Sequence, residues 1–261
     1  MDPWEHILKC ANYDPDSGSS HCLISANDIK KYRESWTGIA NQFEPRLLAY
    51  ISSSDKRPPI FLKYGLQILP IQNGLYMLTK HNIYKDLVYQ SDYIQEPQIV
   101  PRDQTSLILK MGKSESSMID ALRYSGVFER PEILGERITH GSLLNSRHYC
   151  TFDMTLNGEA VHVKGVQYEV DACYESATKC LLIEAKSTKT PLSSFNIRQL
   201  YFPFRAIHKH IGTQKEIIPI FIHQLNDNIH IWKYEFGNDE GVSEMLAIRQ
   251  TGYYKFKLTD A

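Results

Sequence analysis

The chain has 261 residues, of which 42% are hydrophobic and 23% charged, and its formal net charge is −1. This composition is typical of a soluble globular protein, and it excludes a chain that attracts nucleic acid through a large overall positive charge. No apolar run approaches the roughly 20 residues that span a bilayer, no secretory signal pattern is present, and the five cysteines include no CxxC pair, so we expect a cytoplasmic protein with no membrane partner and no disulfide framework.

The N-terminal part is predicted to form a small mixed α/β module. Residues 1–24 carry the turn signal DPDSGSS and are expected to form a surface arm with one short helix. The sequence ANDIKKY then predicts a helix with Ser25 or Asn27 as its N-cap. Asn73 and Gly74 separate two apolar runs, which predicts a β-hairpin.

The second half alternates between helix and strand patterns. SESSMIDALRYSGVF predicts a helix that ends at Gly126, and strands follow with turns at Gly141 and Asn157-Gly158. A helix is expected from about Ser193 to His210, and Pro203 inside it predicts a kink or a break. Two apolar strands then flank the polar turn in QLNDNIH. We therefore expect an α/β (α+β) fold, with a mixed central β-sheet flanked by helices and a smaller N-terminal α/β module.

Two strands with charged side chains are predicted between Val166 and Lys186. The first ends near Asp171, and the second carries Glu184 and Lys186, which share a face because they are two residues apart. The alternate positions are apolar and predict a buried face. Carboxylates facing each other across a bare hairpin would destabilise it, whereas a bound cation would remove the repulsion.

Two carboxylates and a lysine in such a cluster can hold a divalent cation and a water molecule beside a phosphodiester. Oxygen ligands of this kind suit Mg²⁺, and Mn²⁺ can substitute. We expect Asp171 and Glu184 to bind the metal, with the peptide carbonyl of Ala185 as a further ligand. Lys186 is expected to orient the attacking water and to stabilise charge on phosphorus.

This cluster resembles the active site of the PD-(D/E)XK nuclease superfamily. The resemblance rests on Asp171 and on the triplet Glu184-Ala185-Lys186, in a strand–turn–strand segment with a helix before it and a helix after it. Val170 departs from the pattern, because proline often stands at that position. The position varies within the superfamily, so the departure carries little weight.

The resemblance also implies contributions from the two flanking helices. The preceding helix of such nucleases often carries a further acidic residue near the metal, and Glu115 matches that role better than Asp120. The following helix often directs a polar residue towards the site, and here Gln199 or Arg198 fits. We therefore add Glu115 and Gln199 to the catalytic candidates.

Over residues 44–236 the chain more loosely resembles a type II restriction endonuclease, with GLQILPIQNGLY ahead of EVDACYE, LLIEAK and IRQLYFPFR. This resemblance implies site-specific, Mg²⁺-dependent hydrolysis of double-stranded DNA in a prokaryotic cytoplasm. A homodimer, or transient dimerisation on DNA, is expected because cutting two strands requires two active sites. The alternative is a monomer that cuts the two strands in sequence. A cognate DNA methyltransferase is expected in the same system, although not as a stable subunit.

We expect residues 1–105 to recognise DNA and residues 106–261 to form the catalytic domain, with residues 81–105 as the passage between two lobes. Basic side chains position phosphates, while Arg, Asn and Gln side chains can reach base edges. The basic residues proposed for DNA contact are Arg46, Lys56, Arg57, Arg137 and Arg147. The alternative is that they form a solvated surface.

Other functions fit the same sequence. A repair or recombination nuclease of the same superfamily would act on DNA structure, and an RNA nuclease would act on a different backbone. A non-catalytic DNA-binding regulator is disfavoured, because a decayed site would be expected to lose Asp171, Glu184 or Lys186. His140, Asn145 and His148 lack the ββα context of a histidine-metal nuclease, and no phosphate-binding loop is present.

Overall fold

The computed structural model describes residues 2–17, 21–38, 43–89, 98–101, 114–141, 147–237 and 243–259. The expected boundary near residue 105 and Asn145 lie outside these ranges. Within them the α-helices are α1 (Pro3–Cys10), α2 (Ala26–Tyr32), α3 (Pro45–Leu48), α4 (Pro59–Tyr64), α5 (Glu115–Tyr124) and α6 (Arg198–Ile211). Short 3₁₀ turns lie at Arg33–Ser35, Ser54–Lys56 and Val127–Glu129.

The strands of the described ranges form mostly antiparallel sheets. They are β1 (His21–Ser25), β2 (Gln67–Gln72), β3 (Leu75–Thr79), β4 (Tyr84–Asp86), β5 (Gln98–Pro101), β6 (His140–Gly141), β7 (His148–Leu156), β8 (Glu159–Tyr168), β9 (Ala172–Glu175), β10 (Lys179–Thr188), β11 (Ser194–Asn196), β12 (Glu216–Leu225), β13 (Asn228–Phe236), β14 (Ser243–Glu244) and β15 (Ile248–Thr259). The coarse prediction of a mixed α/β fold with helices packed on sheets is confirmed.

One sheet of the described chain runs in the order β1-β3-β2-β8-β7-β14. Its first three strands are antiparallel neighbours, and β7 and β8 form a long hairpin. The two parts meet where β2 and β8 run parallel, through the pair Gln72 and Lys164. Strands from the N-terminal part and from the second half of the chain therefore share this sheet.

A second sheet carries the strands of the predicted cluster, in the order β5-β15-β13-β12-β10-β9-β6 among the described residues. β9 is antiparallel to β10, and β10 is parallel to β12. Parallel neighbours require a crossover, and α6 lies within the chain segment that connects these two strands. A central strand with a helical crossover therefore carries the charged triplet.

Both faces of β10 are buried, whereas the sequence pattern predicts one buried face. Leu181 and Ile183 belong to one hydrophobic cluster, and Cys180 and Leu182 belong to another. The alternation itself is correct, but each set of side chains packs into a separate core. Glu184 follows the alternation of Cys180 and Leu182, so its carboxylate lies at the border of a hydrophobic layer.

Several local predictions are confirmed. Ser25, one of the two predicted N-caps, caps α2 through a capping box. The α5 helix also begins with a capping box, at Ser114, which was not predicted. The expected tight turns connect β2 to β3 and β7 to β8, and Asn157 and Gly158 in the second turn have positive φ angles of 52° and 81°. The break predicted as one alternative at Pro203 is not found, because α6 continues past Pro203 to Ile211.

Four predictions need correction. The turn expected at Gly141 is a strand position, because Gly141 pairs with Tyr174 of β9. The strand expected to reach Asp171 ends at Tyr168, because the chain leaves one sheet there and enters the other at Ala172. The helix expected from Ser193 begins at Arg198, because Ser194–Asn196 pair with β4 instead. Residues 1–24 are more than a surface arm, since Trp4 in α1 is buried and β1 pairs with β3.

Candidate active site

Asp171 and Glu184 are brought together by the register of β9 and β10. Ala172 pairs with Ile183, so Asp171, which comes directly before β9, lies beside the next residues of β10. Its Oδ2 atom accepts a hydrogen bond of 2.7 Å from the backbone N–H of Ala185. The predicted juxtaposition is therefore present, although Asp171 belongs to the bend before β9 and not to the end of β8.

Lys186 is the centre of the cluster. Its Nζ atom lies 2.7 Å from Glu184 Oε1, 3.9 Å from Asp171 Oδ2 and 3.8 Å from Glu115 Oε2. The same Nζ donates a hydrogen bond of 2.8 Å to the carbonyl oxygen of Ala185. One ammonium group thus lies among the carboxylates that the sequence pattern selected.

Burial sets the electrostatics of the cluster. Glu184 is only 6% exposed, and burial raises its pKa to about 8 against the lowering effect of Lys186. Burial alone would lower the pKa of Lys186, but the charges of Glu184 and Asp171 outweigh it and raise that pKa. The ammonium therefore keeps its proton at neutral pH, whereas the buried Glu184 carboxyl group binds a proton more readily than an exposed glutamate does.

Two helices complete the cluster. Glu115 begins α5, and its Oε1 atom accepts a 3.3 Å hydrogen bond from the backbone N–H of Ser187. Gln199, in the first turn of α6, donates a hydrogen bond from Nε2 to Glu184 Oε1. The structure thus brings both helix candidates to the strand residues, whereas Asp120 is exposed and does not line the cleft described below.

The cluster lies in a cleft of about 760 Å³. Asp171, Glu184 and Lys186 line it together with Glu115 and Gln199. Residues of the N-terminal part of the chain also line the cleft, among them Arg46, Leu47, Tyr50, Gln72 and Tyr76. The cleft is therefore formed by residues from both halves of the sequence.

The basic residues proposed for DNA contact are distributed unequally. Arg46 is exposed and lines the cleft, and Arg147 pairs at 3.1 Å with the cleft residue Glu169. Arg57 donates from Nε to the backbone carbonyl of Ser54, 2.9 Å away, which fixes a local turn. Lys56 and Arg137 are exposed and do not line the cleft.

Among the cleft residues of the N-terminal part, sequence reasoning named Arg46 but missed Leu47, Tyr50, Gln72 and Tyr76. Tyr50 lies in a segment without a recognisable motif, and no local pattern links it to residues more than 120 positions away. Arg198 was considered only as an alternative to Gln199, yet both line the cleft. Arg198 is the first residue of α6, which follows the short strand β11. Recognising where this helix begins is the signal that could have placed Arg198 beside the cluster.

The donor set suits a hard divalent cation. Asp171 and Glu184 offer carboxylate oxygens and Ala185 offers a carbonyl, and the positively charged Nζ of Lys186 already lies close to all three. No group of three or more His, Cys, Asp and Glu side chains in the described ranges is arranged to hold a metal. A metal in this cleft would therefore rest on two carboxylates and one peptide carbonyl, with Glu115 farther out.

The structure defines a mixed α/β protein with a carboxylate and lysine cluster in a polar cleft. The chain belongs to a family described as a domain of unknown function (DUF6997), whose model matches residues 79–254. A second domain of unknown function (DUF6996) matches residues 1–78. No curated protein and no solved structure matches the chain. None of the helices in the described ranges has the length and apolar character needed to cross a membrane.

Proposed function

We propose that the protein is a Mg²⁺-dependent endonuclease of the PD-(D/E)XK type that hydrolyses double-stranded DNA at specific sites. The observation that carries this proposal is the position of Lys186 Nζ, within 3.9 Å of carboxylate oxygens of Glu184, Asp171 and Glu115. Carboxylates that hold a divalent cation, beside a cationic group that stabilises charge on phosphorus, are a combination that phosphoryl chemistry uses.

The order of elements supports the same proposal. α5 precedes the hairpin of β9 and β10, and α6 leads from β10 to the parallel strand β12. A restriction-endonuclease-like core implies a helix, a hairpin with the acidic motif and a following helix in this order. Each of the three segments contributes a side chain to the cluster.

On this proposal, each residue of the cluster has a separate role in hydrolysis. A bound Mg²⁺ would be held by Asp171, Glu184 and the carbonyl of Ala185, and it would supply Lewis-acid stabilisation of the phosphoryl oxygens. Lys186 would hold the attacking water and stabilise negative charge on phosphorus through its proton donors. Gln199 fixes the orientation of the Glu184 carboxylate through its hydrogen bond. Asp171 is fixed in the same way by the N–H of Ala185.

Recognition and assembly follow from the same proposal. Because residues of the N-terminal part also line the cleft, that part would contact DNA directly beside the cut. One chain provides one cluster, so double-strand cleavage would use a homodimer. A cognate DNA methyltransferase acting in the same system would protect the host sites, and the prokaryotic cytoplasm would be the compartment.

A structure-specific nuclease is the second candidate, and the rim of the cleft favours it. Leu47 is 70% exposed and Tyr50 is 55% exposed, and both line the cleft. Exposed aromatic side chains beside a phosphate track are typical of proteins that stack unpaired bases. Such an enzyme would cut branched or single-stranded DNA in preference to a fixed duplex sequence.

Cleavage of plasmid and phage DNA with and without Mg²⁺ separates these candidates. Discrete Mg²⁺-dependent fragments support the site-specific endonuclease. Cleavage confined to flapped, forked or single-stranded oligonucleotides supports the second candidate. No cleavage of any of these substrates, with Mg²⁺ or Mn²⁺, would overturn both.

A further inference from the structure

The cleft contains a second polar group that the proposed hydrolysis does not use. Arg198 and Arg46 line it, and so do the tyrosines Tyr50 and Tyr76. Three of these four residues come from the segment that matches DUF6996, and Arg198 comes from the segment that matches DUF6997. The group is therefore shared between the two parts of the chain.

One nitrogen atom of the Arg198 side chain lacks a hydrogen-bond partner among the described residues. Its Nε atom is buried and has no hydrogen-bond acceptor among the described residues. Its guanidinium lies 5.8 Å from the centre of the Phe202 ring, which offers only a weak cation–π contact. Burial lowers the pKa of this guanidinium, as expected for a cation withdrawn from water. Arg198 as a whole is half-buried and Glu184 is a charged neighbour, yet the Nε atom has no acceptor among the described residues, so an anion in the cleft would supply one.

The neighbouring groups are suited to the same anion. The hydroxyl of Tyr76 lies near the charges of Arg46, Glu44 and Arg198. The hydroxyl of Tyr50 lies near the charges of Lys186, Glu184 and Arg198, and the carboxylate of Glu115 also acts on it. Guanidinium and hydroxyl groups are donors that match the oxygens of a phosphate. Arg198 and Gln199 are the first two residues of α6, so the positive end of that helix dipole borders the same space.

We propose that Arg198, Arg46, Tyr50 and Tyr76 form a phosphate-binding subsite beside the carboxylate and lysine cluster. On the proposed nuclease function, on which this assignment of the ligand rests, the subsite takes a backbone phosphate next to the one that is cut. Arg198 holds this phosphate from the catalytic part of the chain, and Tyr50 and Arg46 hold it from the N-terminal part. The subsite thereby fixes the register of the strand against Lys186.

Thermal unfolding in inorganic phosphate tests the subsite without any nuclease activity. The full chain is compared with Arg198→Gln, Tyr50→Phe and the control Arg249→Gln, in EDTA, with chloride as the reference salt at equal ionic strength. Arg249 is exposed, pairs with Glu235 and does not line the cleft. Phosphate also stabilises proteins generally as a kosmotropic salt, and that part is common to all four proteins.

The subsite predicts a rise in melting temperature with phosphate that saturates and is the same in the wild-type chain and Arg249→Gln. Arg198→Gln keeps only the general effect, and Tyr50→Phe shows a smaller saturating rise. If Arg198→Gln does not fold, the phosphate response of Tyr50→Phe tests the subsite instead. Tyr50 is 55% exposed, so removal of its hydroxyl leaves the core intact. Equal rises in all folded variants would overturn the subsite.

Binding of a labelled duplex in EDTA separates failure of the subsite from failure of the nuclease. Arg198→Gln should weaken duplex binding and reduce the salt slope by about 1, as expected for one lost phosphate contact. If the wild-type chain cuts DNA but the variants show the same rise in melting temperature with phosphate as the wild type, the subsite is wrong and the proposed function stands. A chain that responds to phosphate through Arg198 but neither binds nor cuts nucleic acid overturns the proposed function alone.

Discussion

Lys186 Nζ lies 2.7 Å from Glu184 Oε1, and the Glu184 side chain is 8% exposed. Burying an ion pair to this degree costs desolvation free energy, which can exceed the Coulombic gain. The pair is therefore better explained by a function of the cleft than by a contribution to stability. The third carboxylate of the cluster, Glu115, comes from a separate helix. A divalent cation that shares these carboxylates would satisfy the excess negative charge that one ammonium cannot balance.

Loss of one buried carboxylate should weaken binding of divalent metal. Glu184→Gln keeps the shape of the side chain and removes its charge, so we expect Mn²⁺ binding measured by titration calorimetry to become undetectable. Glu235→Gln, an exposed residue outside the cleft, is the matched control and should bind as the wild type does. Equal Mn²⁺ affinity in the wild type and Glu184→Gln would exclude Glu184 as a ligand.

Lys186→Ala should separate binding from cleavage. The lysine would stabilise charge that develops in the transition state, and removal of such a donor typically lowers the rate by about 100-fold to 1000-fold. Duplex binding should remain within a factor of a few, because on the proposed function other basic groups, such as Arg46, would contact the DNA backbone. Single-turnover cleavage and a binding titration on the same preparation check both parts. A loss of binding as large as the loss of rate would contradict this role.

Gln199 should act as a positioning residue through Glu184. Its hydrogen bond orients the carboxylate, and loss of such outer partners typically costs about 10-fold to 100-fold in metal affinity or activity. We expect Gln199→Ala to raise the Mg²⁺ concentration that gives half-maximal rate. Saturating Mg²⁺ should restore much of the rate, which a general loss of folding would not allow. An unchanged Mg²⁺ dependence would remove Gln199 from the site.

Stability should fall in mild acid because of two buried histidines. His223 contacts the hydroxyls of Tyr89 and Thr188, each at 2.7 Å, and His230 pairs with it across β12 and β13. Burial lowers the pKa of both histidines to about 4. The unfolded chain, with an ordinary histidine pKa of about 6.5, then binds more protons than the folded chain between pH 6.5 and 4.

The free energy of unfolding should therefore decrease as the pH falls through that window. Urea titrations at several pH values measure it, and His223→Gln should flatten the dependence relative to the wild type. His162→Gln is the control, because that histidine is exposed and contacts Asp153 at the surface. A pH profile with the same slope in His223→Gln would show that other groups dominate.

The parts of the fold that sequence could predict are those set by local chemistry. Asn157-Gly158 defines its turn through positive φ angles, and Ser114 defines the start of α5 through a capping box. The triplet Glu184-Ala185-Lys186 predicts a strand with alternating faces, and β10 has that alternation. These features depend on neighbours within a few residues, so the sequence contains the necessary information.

The parts that could not be predicted depend on distant contacts. The alternation of apolar residues around Val166 continues as far as Asp171 in the sequence. It gives no sign that the chain leaves one sheet and enters another between these two residues. The position of Tyr50 in the same cleft as Lys186 depends on how the N-terminal part packs, and no residue near Tyr50 signals it. The sequence of Ser194–Asn196 suggests the start of a helix, but these residues form a strand because they pair with β4.

Cleavage of supercoiled plasmid by the purified chain and by Asp171→Asn tests the central claim most directly. Asp171 is chosen because its Oδ2 atom is fixed by the N–H of Ala185 and an amide can keep the shape of the side chain. We expect the wild type to cut the plasmid with Mg²⁺ and not with EDTA, and Asp171→Asn to be inactive although it binds DNA. Equal cleavage by Asp171→Asn, or a wild-type chain that leaves the plasmid intact in Mg²⁺ and in Mn²⁺, would contradict it.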